Sequence, residues 1–338
     1  MRCYAFFKTI SLDDLVLTER PDPVPGPRDI VLRMRAAALN FRDLAIVRGH
    51  YHVGVSPPLV PVSDGAGEVI QIGSEVTRFR IGDLVCPTYL PEWIDGPIRP
   101  WNVRRRLGGP SDGVLSELMC LHEDEAVCAP RHLDAAEAAQ LPVAAATAWH
   151  SLFQLGSVRP GETVLIQGSG GISTIALQLA HAAGARTIMV TRNDRHADTL
   201  RTLGADDVLG NGAAESWPND VLNLTDQRGA EISVNVAGGN TLTRSIAATR
   251  MGGLVHLVGY AAGIIADLDI FTAIRHATTI HVATAGNREN LEDFVRAAER
   301  HKIRPVIAKA FRAEQIRDAF AFLARGGHLG KVGLILDF

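Results

Sequence analysis

Lysine is scarce in this chain. Of 34 basic residues in 338, only Lys8, Lys302, Lys309 and Lys331 are lysines. Schiff-base chemistry therefore has few candidates, and none lies in a recognisable pocket motif. Cysteine is as sparse: Cys3, Cys86, Cys120 and Cys128, with no C-x-x-C pair. A chain of this length needs no covalent staples, so these read as reduced thiols of a cytoplasmic protein. No run of about 20 apolar residues exists, so a helical membrane span is not expected. The opening MRCYAFFKTISLDD carries too short an apolar patch for a secretion signal. Neither sign of charge dominates: the net charge is −3, whereas a dedicated nucleic-acid binder carries a basic surplus. What is present is apolar: 46% of residues are hydrophobic and 21% charged, enough for the cores of two domains. The expected partner is a small-molecule substrate, with neither nucleic acid nor membrane involved.

The chain changes texture near residue 130. Before it, β-rich segments such as DIVLRMRAAAL and GAGEVIQIG alternate with Pro/Gly clusters such as PDPVPGPRD. Residues 85–113 lack periodicity and read as a long surface excursion, with Arg104–Arg106 as a solvated face. After it, LDAAEAAQLPVAAATAWHSLFQLG reads as helix. Apolar strands then alternate with helices: ETVLIQG, RTIMVT, DDVLG, ISVNVAG, LVHLVG and TTIHVAT are strands, with helices including ISTIALQLAHAAG, RHADTLRTLG and LTRSIAATRMGG between them. Strands apolar on both faces imply a parallel sheet covered by helices. Two amphipathic helices, ENLEDFVRAAERHK and AEQIRDAFAFLARGG, and a strand KVGLILD close the chain.

The stretch VLIQGSGGISTIALQLA joins the first of these strands to its helix. Gly168 permits a turn that a Cβ would hinder, and Gly170 and Gly171 let phosphates approach the backbone. The amides of the helix start, with Ile172 and Ser173 in its first turn, favour an anion. Ser173 replaces the third glycine of G-x-G-x-x-G and is still small enough for close helix–strand packing. Dinucleotide binding is the expected role. The second strand ends MVTRNDRHA. No carboxylate sits at its end to hold a ribose 2′-hydroxyl, although Asp194 is near. Thr191 and Arg192, with Arg195 and His196 a turn later, suit a 2′-phosphate, so NADPH (NADP) is expected over NAD.

Segments from end to end resemble the medium-chain dehydrogenase/reductase superfamily, and within it the zinc-independent, quinone-oxidoreductase-like branch. They include ALNFRDLAIVRGHY, VPVSDGAGEVIQIGSEV, GGPSDGVLSEL, AAQLPVAAATAWHSLF, VRPGETVLIQGSGG, TLGADDVL and GHLGKVGLI. The resemblance implies an α/β chain with a GroES-like β-rich catalytic domain at 1–128 and 286–338. Inserted in it, at 129–285, is a Rossmann domain with a doubly wound parallel sheet. It further implies an active site in the cleft between them, and a homodimer formed through the last Rossmann strand, near Thr279–Thr284. The positions that hold zinc in metal-dependent relatives correspond to Asn40, Ser63 and Val143, with Asp64 in place of a glutamate; valine cannot ligate, so no zinc is expected. Asn40, Asp43 and Tyr51 fall where relatives line the substrate cleft. Each also has a plainer reading: backbone satisfaction, orientation of Arg42 or Arg48, and loop packing. Arg42 stands where zinc enzymes keep a proton-relay hydroxyl; it either binds an acidic substrate or pairs with a carboxylate. Thr147 matches a residue under the nicotinamide, Asn211 one near the adenosine ribose, and Gly238, Val258, Gly259 and Tyr260 follow the fourth and fifth strands. Lys331 matches a lysine near the cofactor, or is a surface strand residue.

Without a metal to polarise an isolated ketone, a conjugated acceptor is the easier target. Hydride adds at the β-carbon and hydrogen-bond donors hold the anion. The sequence therefore points to a zinc-independent NADPH-dependent reductase of quinones or α,β-unsaturated carbonyls. The alternatives are a zinc-free NAD(P)-dependent alcohol or aldehyde dehydrogenase, and a catalytically weak NADPH-binding structural or sensor protein.

Overall fold

A computed structural model describes residues 1–192, 194–210 and 216–338. In chain order the strands are β1 (Arg2–Phe6), β2 (Leu15–Glu19), β3 (Asp29–Leu39), β4 (Asp64–Ile72), β5 (Leu84–Pro87), β6 (Leu118–His122), β7 (Ala126–Cys128), β8 (Thr163–Gln167), β9 (Arg186–Val190), β10 (Asp207–Leu209), β11 (Ala230–Asn235), β12 (Thr249–Leu257), β13 (Thr279–Val282), β14 (Ile307–Arg312) and β15 (Lys331–Ile335). The helices are α1 (Phe41–Val47), α2 (Ala135–Ala138), α3 (Pro142–Trp149), α4 (Gly171–Ala182), α5 (Ala197–Thr202), α6 (Trp217–Leu224), α7 (Thr241–Ala248), α8 (Ile270–His276), α9 (Arg288–His301) and α10 (Ile316–Arg325). They form two compact units, one of residues 1–146 and 287–338, the other of residues 147–286. Residues 129–146, grouped on sequence with the nucleotide-binding half, cluster with the first unit.

In the first unit a seven-stranded sheet runs β14-β15-β3-β4-β5-β7, with β6 also paired to β3, and β1 and β2 form a separate ribbon. Eight of β3's eleven residues are buried, and the strand pairs with β15, β4 and β6. Phe6, Leu32, Phe320 and Leu334 meet in the core beneath. Helix α10 offers Ile316, Ala319 and Phe320 at three- and four-residue spacing, so one stripe faces inward. Burying a side chain such as Phe320 contributes about 2–3 kcal/mol.

The second unit is a six-stranded, wholly parallel sheet in the order β10-β9-β8-β11-β12-β13. Counted from β8, that is the 3-2-1-4-5-6 order of a doubly wound Rossmann sheet. The order reverses between β8 and β11, where ligands of such sheets lie.

Three local expectations are corrected. The helix expected through TRMGG ends at Ala248, and Thr249 opens β12. Gly252, at φ +70°, is in a conformation no helix continues through. The helix expected from residue 133 to 156 is broken: Pro142 starts α3 afresh, and His150–Leu155 widen into a π-helical turn. Residues 85–113 are not wholly a surface excursion, because Tyr89, Leu90, Trp93 and Leu107 are buried.

Candidate active site

In the second unit, all five residues of β8 are buried, and the chain leaves it through Gly168 at φ +77°. The Gly168 amide donates to Val190 O at 2.8 Å. A Cβ there would meet Val236 Cγ2 at 3.1 Å, whereas the space around Gly170 is open. Gly170 is the N-cap of the twelve-residue α4, and no side chain caps it. Ser173 Oγ donates to Gln167 O at 2.6 Å, drawing the first helical turn onto the strand end. Uncapped amides, a helix dipole and an open approach at Gly170 fit a phosphate group.

Beside this turn, Gly238, at φ +67°, and Gly259 pack backbone to backbone. A Cβ on Gly238 would lie 2.6 Å from Gly259 O, and one on Gly259 2.1 Å from Val236 O. Buried Asn235 holds the Gly238 turn: its Oδ1 accepts from the amides of Ala237 and Gly238 at 3.1 and 2.8 Å. Its Nδ2 donates to Ser245 Oγ at 2.9 Å, which also accepts from Gln167 Nε2 at 2.6 Å. Asn235 and Gln167 escaped the sequence reading, although a polar residue ending an apolar strand is a usable signal.

Of the other residues expected to touch a dinucleotide, Thr147 is buried in α3, with its carbonyl accepting from Ser151 Oγ at 2.7 Å. Thr191 is buried at the end of β9, Arg192 is exposed and His196 half-buried. Val258, Gly259 and Tyr260 follow β12, and the Val258 amide donates to Asn235 O at 2.9 Å. Gly171 and Ile172 lie in the first turn of α4. Asn211 lies outside the described residues. Apart from Thr147 in α3 and Lys331, the described members of the set gather at the carboxyl ends of β8, β9, β11 and β12.

Lys331 belongs to a buried cluster in the first unit. Strand register builds it: Val332 of β15 pairs with Leu39 of β3, and Ala38 of β3 with Asp64 of β4. The start of β15, the end of β3 and the start of β4 therefore coincide. Lys331 Nζ donates to Asp64 Oδ2 at 2.8 Å and to Asn40 Oδ1 at 2.5 Å. Asp64 is fully buried and Lys331 is 4% exposed. An ammonium on Oδ1 sets the Asn40 amide with its NH₂ facing away, where Nδ2 donates to Ser63 Oγ at 3.1 Å. The second N–H of that amide has no partner among the described residues.

Asn40 also precedes α1. Its amide donates to Asp43 Oδ2 at 2.8 Å, and the Asp43 amide donates back to Asn40 O at 3.0 Å. Asp43 Oδ1 accepts from Arg42 Nη1 at 3.1 Å. Arg42 is buried, and four of its five N–H donors are engaged. Nη1 and Nη2 donate to Leu107 O and Gly109 O, both at 2.9 Å, and Nε reaches the Tyr51 hydroxyl at 3.4 Å. Its guanidinium carbon lies 5.0 Å from the Tyr51 ring centroid and 4.9 Å from that of Tyr89, a cation–π sandwich. The two tyrosine hydroxyls are 2.9 Å apart. Burial works against the Arg42 charge, but Tyr89, Asp43 and Tyr51 outweigh it and hold the group protonated. Burial raises the Asp43 carboxyl above its usual range, with Arg42 opposing. Burial likewise raises the Tyr89 hydroxyl against the pull of Arg42. Asn40, Asp43 and Tyr51 are thus joined through Arg42. Tyr89 was not anticipated, since it lies in the aperiodic 85–113 stretch.

The set Asn40, Ser63 and Val143 does not fit zinc. Valine offers no ligand atom, and an ammonium already takes up Asn40 Oδ1 and Asp64. Among the described residues, no group of three His, Cys, Asp or Glu is placed to hold a metal, and no helix is long and apolar enough to cross a membrane.

Residues 26–131 match the alcohol dehydrogenase GroES-like domain, and residues 171–300 the zinc-binding dehydrogenase domain. A zinc-type alcohol dehydrogenase-like protein of Schizosaccharomyces pombe is 33% identical over 318 residues, 92% of each chain. A quinone oxidoreductase of Pseudomonas aeruginosa is 32% identical over 251 residues, covering 73% of this chain and 69% of its own. An acryloyl-coenzyme A reductase of Sulfurisphaera tokodaii is 26% identical over 327 residues, covering 94% and 95%. Among solved structures, a Sinorhizobium meliloti 1021 protein described as an alcohol dehydrogenase superposes with a TM-score of 0.92 at 36% identity, covering 99% of this chain and 98% of its own. With the GroES-like and Rossmann-type units in place, this chain belongs to the medium-chain dehydrogenase/reductase superfamily of oxidoreductases.

Proposed function

We propose that the chain is an NADPH-dependent reductase of quinones or α,β-unsaturated carbonyl compounds that works without zinc. The observation that carries this reading is the buried Lys331–Asn40 contact. It puts the Lys331 ammonium, paired with Asp64, behind an amide whose second N–H faces away from it. A cation on the amide oxygen polarises the N–H bonds and strengthens them as donors to an oxyanion.

Bound NADPH supplies the hydride, which the acceptor takes at its β-carbon. As that bond forms, the conjugated electron pair moves to the carbonyl oxygen, where the Asn40 Nδ2–H holds it. Lys331, balanced by Asp64, positions Asn40 and offsets the new charge through it. Tyr51, linked to Tyr89, delivers the proton that completes the α-carbon. Asp43 positions both Arg42 and the Asn40 backbone. An isolated ketone would place full alkoxide charge on one neutral donor, so it is the poorer substrate. The acryloyl-coenzyme A reductase and quinone oxidoreductase relatives act, by name, on acceptors of this conjugated kind. On the cofactor side, β9 is followed by Thr191 and Arg192 rather than a carboxylate, which favours the 2′-phosphate of NADPH.

Initial rates with NADPH and with NADH, across an enone, a quinone, a saturated ketone and a primary alcohol, test the proposal. Turnover of the enone or quinone, with NADPH preferred, is expected. Turnover confined to the alcohol and ketone would favour the dehydrogenase alternative. Tight NADPH binding without turnover would favour a sensor.

A further inference from the structure

We propose that Arg106 forms an anion subsite in the first unit, and that the acceptor reduced there carries a carboxylate. This rests on the reductase reading above and adds a substrate class to it.

The argument starts from buried charge. Arg42, Lys331 and Arg106 are buried cations in this part of the unit, and Asp43 and Asp64 are the buried carboxylates that face them. Asp43 pairs with Arg42 and Asp64 with Lys331. Arg106 is left over. It is 9% exposed, its Nε is buried with no hydrogen-bond partner among the described residues, and no described carboxylate lies within ion-pair distance of it. The run Arg104–Arg106, expected as a solvated face, therefore divides. Arg104 and Arg105 are exposed, and Arg105 pairs with Glu125, while Arg106 turns inward. An arginine cannot shed its proton to escape burial, and an uncompensated buried charge is destabilising. Such a residue makes physical sense when an anion arrives to meet it.

The backbone puts Arg106 beside the donor set. Its carbonyl accepts from the amides of Gly109 and Ser111 at 3.3 and 3.1 Å, closing a tight loop. The carbonyls of that loop at Leu107 and Gly109 hold Arg42, and the Leu107 amide donates to Tyr89 O at 3.2 Å. At Gly108 the loop presses on Val62 and Ser63 so closely that a Cβ would lie 2.7 Å from Val62 C and 2.9 Å from Ser63 N. Ser63 is the residue that accepts from Asn40. The Arg106 charge is felt at Tyr89 and at His52, whose imidazole is lowered by burial, then by Arg106 and Arg42. Arg42 is poorly placed to serve an acidic substrate, because four of its five N–H donors already serve Asp43, Leu107, Gly109 and Tyr51. Arg106 has a planar guanidinium free to take a carboxylate through two parallel hydrogen bonds.

The test uses two probes that differ by one charge, trans-4-oxo-2-pentenoate and its methyl ester, with wild-type protein and Arg106→Met. The wild type should favour the acid over the ester in kcat/KM by about tenfold or more, and the acid alone should raise its melting temperature. In Arg106→Met the acid-to-ester ratio should collapse to near one. That variant should also melt above the wild type when no ligand is present, since it removes an unpaired buried charge. A structural arginine would move the melting temperature the other way. Equal losses on both probes, or a lower melting temperature with the acid preference kept, would overturn the subsite. The wild-type arms need no variant: no preference for the acid and no thermal shift from it would also overturn the subsite. Failure of the wild type to reduce either probe would instead sink the reductase reading, and the thermal shifts would still decide the subsite.

Discussion

At Gly170 the requirement of the ligand separates from that of the fold. Its chain neighbours aside, no atom of the described residues lies within 4 Å of the place a Cβ would take there, so a larger side chain meets open space unless a phosphate is bound. Gly170→Val should therefore fold and melt within about 0.5 kcal/mol of the wild type yet lose nucleotide binding by at least about a hundredfold. Titration by nicotinamide fluorescence checks this, and unchanged affinity would displace the phosphates from this turn. Gly259 is the opposite case: a Cβ there strikes backbone, so its substitution damages fold and site together. Lys331 makes the same distinction for chemistry. Lys331→Met should lower kcat on an enone by about tenfold to a hundredfold with the NADPH dissociation constant unchanged, because all its hydrogen bonds lie within the first unit. It should also cost about 3–5 kcal/mol of stability, since Asp64 stays buried without its partner. A raised NADPH dissociation constant with kcat kept would return Lys331 to the cofactor, where the family resemblance had put it. Its partners are 267 and 291 residues away in sequence. No local pattern can show such a contact, and so the lysine's neighbours were not legible. The glycine turn between β8 and α4 was, because strand, turn and helix are contiguous.

Among elements, β8, β9 and β11 were legible from their composition, because a strand buried on both faces admits little else. The break at Pro142 and the early start of β12 were obscured by apolar periodicity running across both points. The 85–113 stretch hid Tyr89 and Arg106 because an irregular loop has no period to reveal which residues turn inward. Strands β12 and β13 carry one pH-sensitive feature. His256 and His281 are register partners, and with His150 of the π-helical turn their ring centroids lie 5.4–6.5 Å apart. Burial, then His150 and His281, bring the His256 pKa down from 6.5 to about 3. Between those values the unfolded chain binds a proton that the folded chain refuses. Stability is thus full above pH 6.5 and falls as the pH drops toward 3, by up to about 1.4 kcal/mol per pH unit. Urea melts at about pH 7 and about pH 5 should show this loss in the wild type, and a shallower one in His256→Leu. The same slope in both would mean that His256 is not its source.

For the whole molecule, the open question is what meets the edge of the second unit's sheet. β13 is an edge strand, and Ile264, Ile265, Phe271, Ile274 and Val282 expose apolar side chains in and before it. An apolar surface next to an unpaired strand edge is a surface that pairs with another chain. We expect a second copy there, joined edge to edge, so sedimentation should give twice the chain mass. Phe271→Glu combined with Ile274→Glu should shift it to the monomer. A wild type that stays monomeric at all concentrations would contradict this expectation.

The central claim is that a lysine-backed amide, not a metal, holds the negative charge formed on a conjugated acceptor. The most direct measurement is the rate of NADPH oxidation with an enone, before and after exhaustive chelation with metal content assayed in parallel. The account predicts the same kcat at vanishing metal content. Activity that disappears with the metal and returns on adding zinc would contradict it.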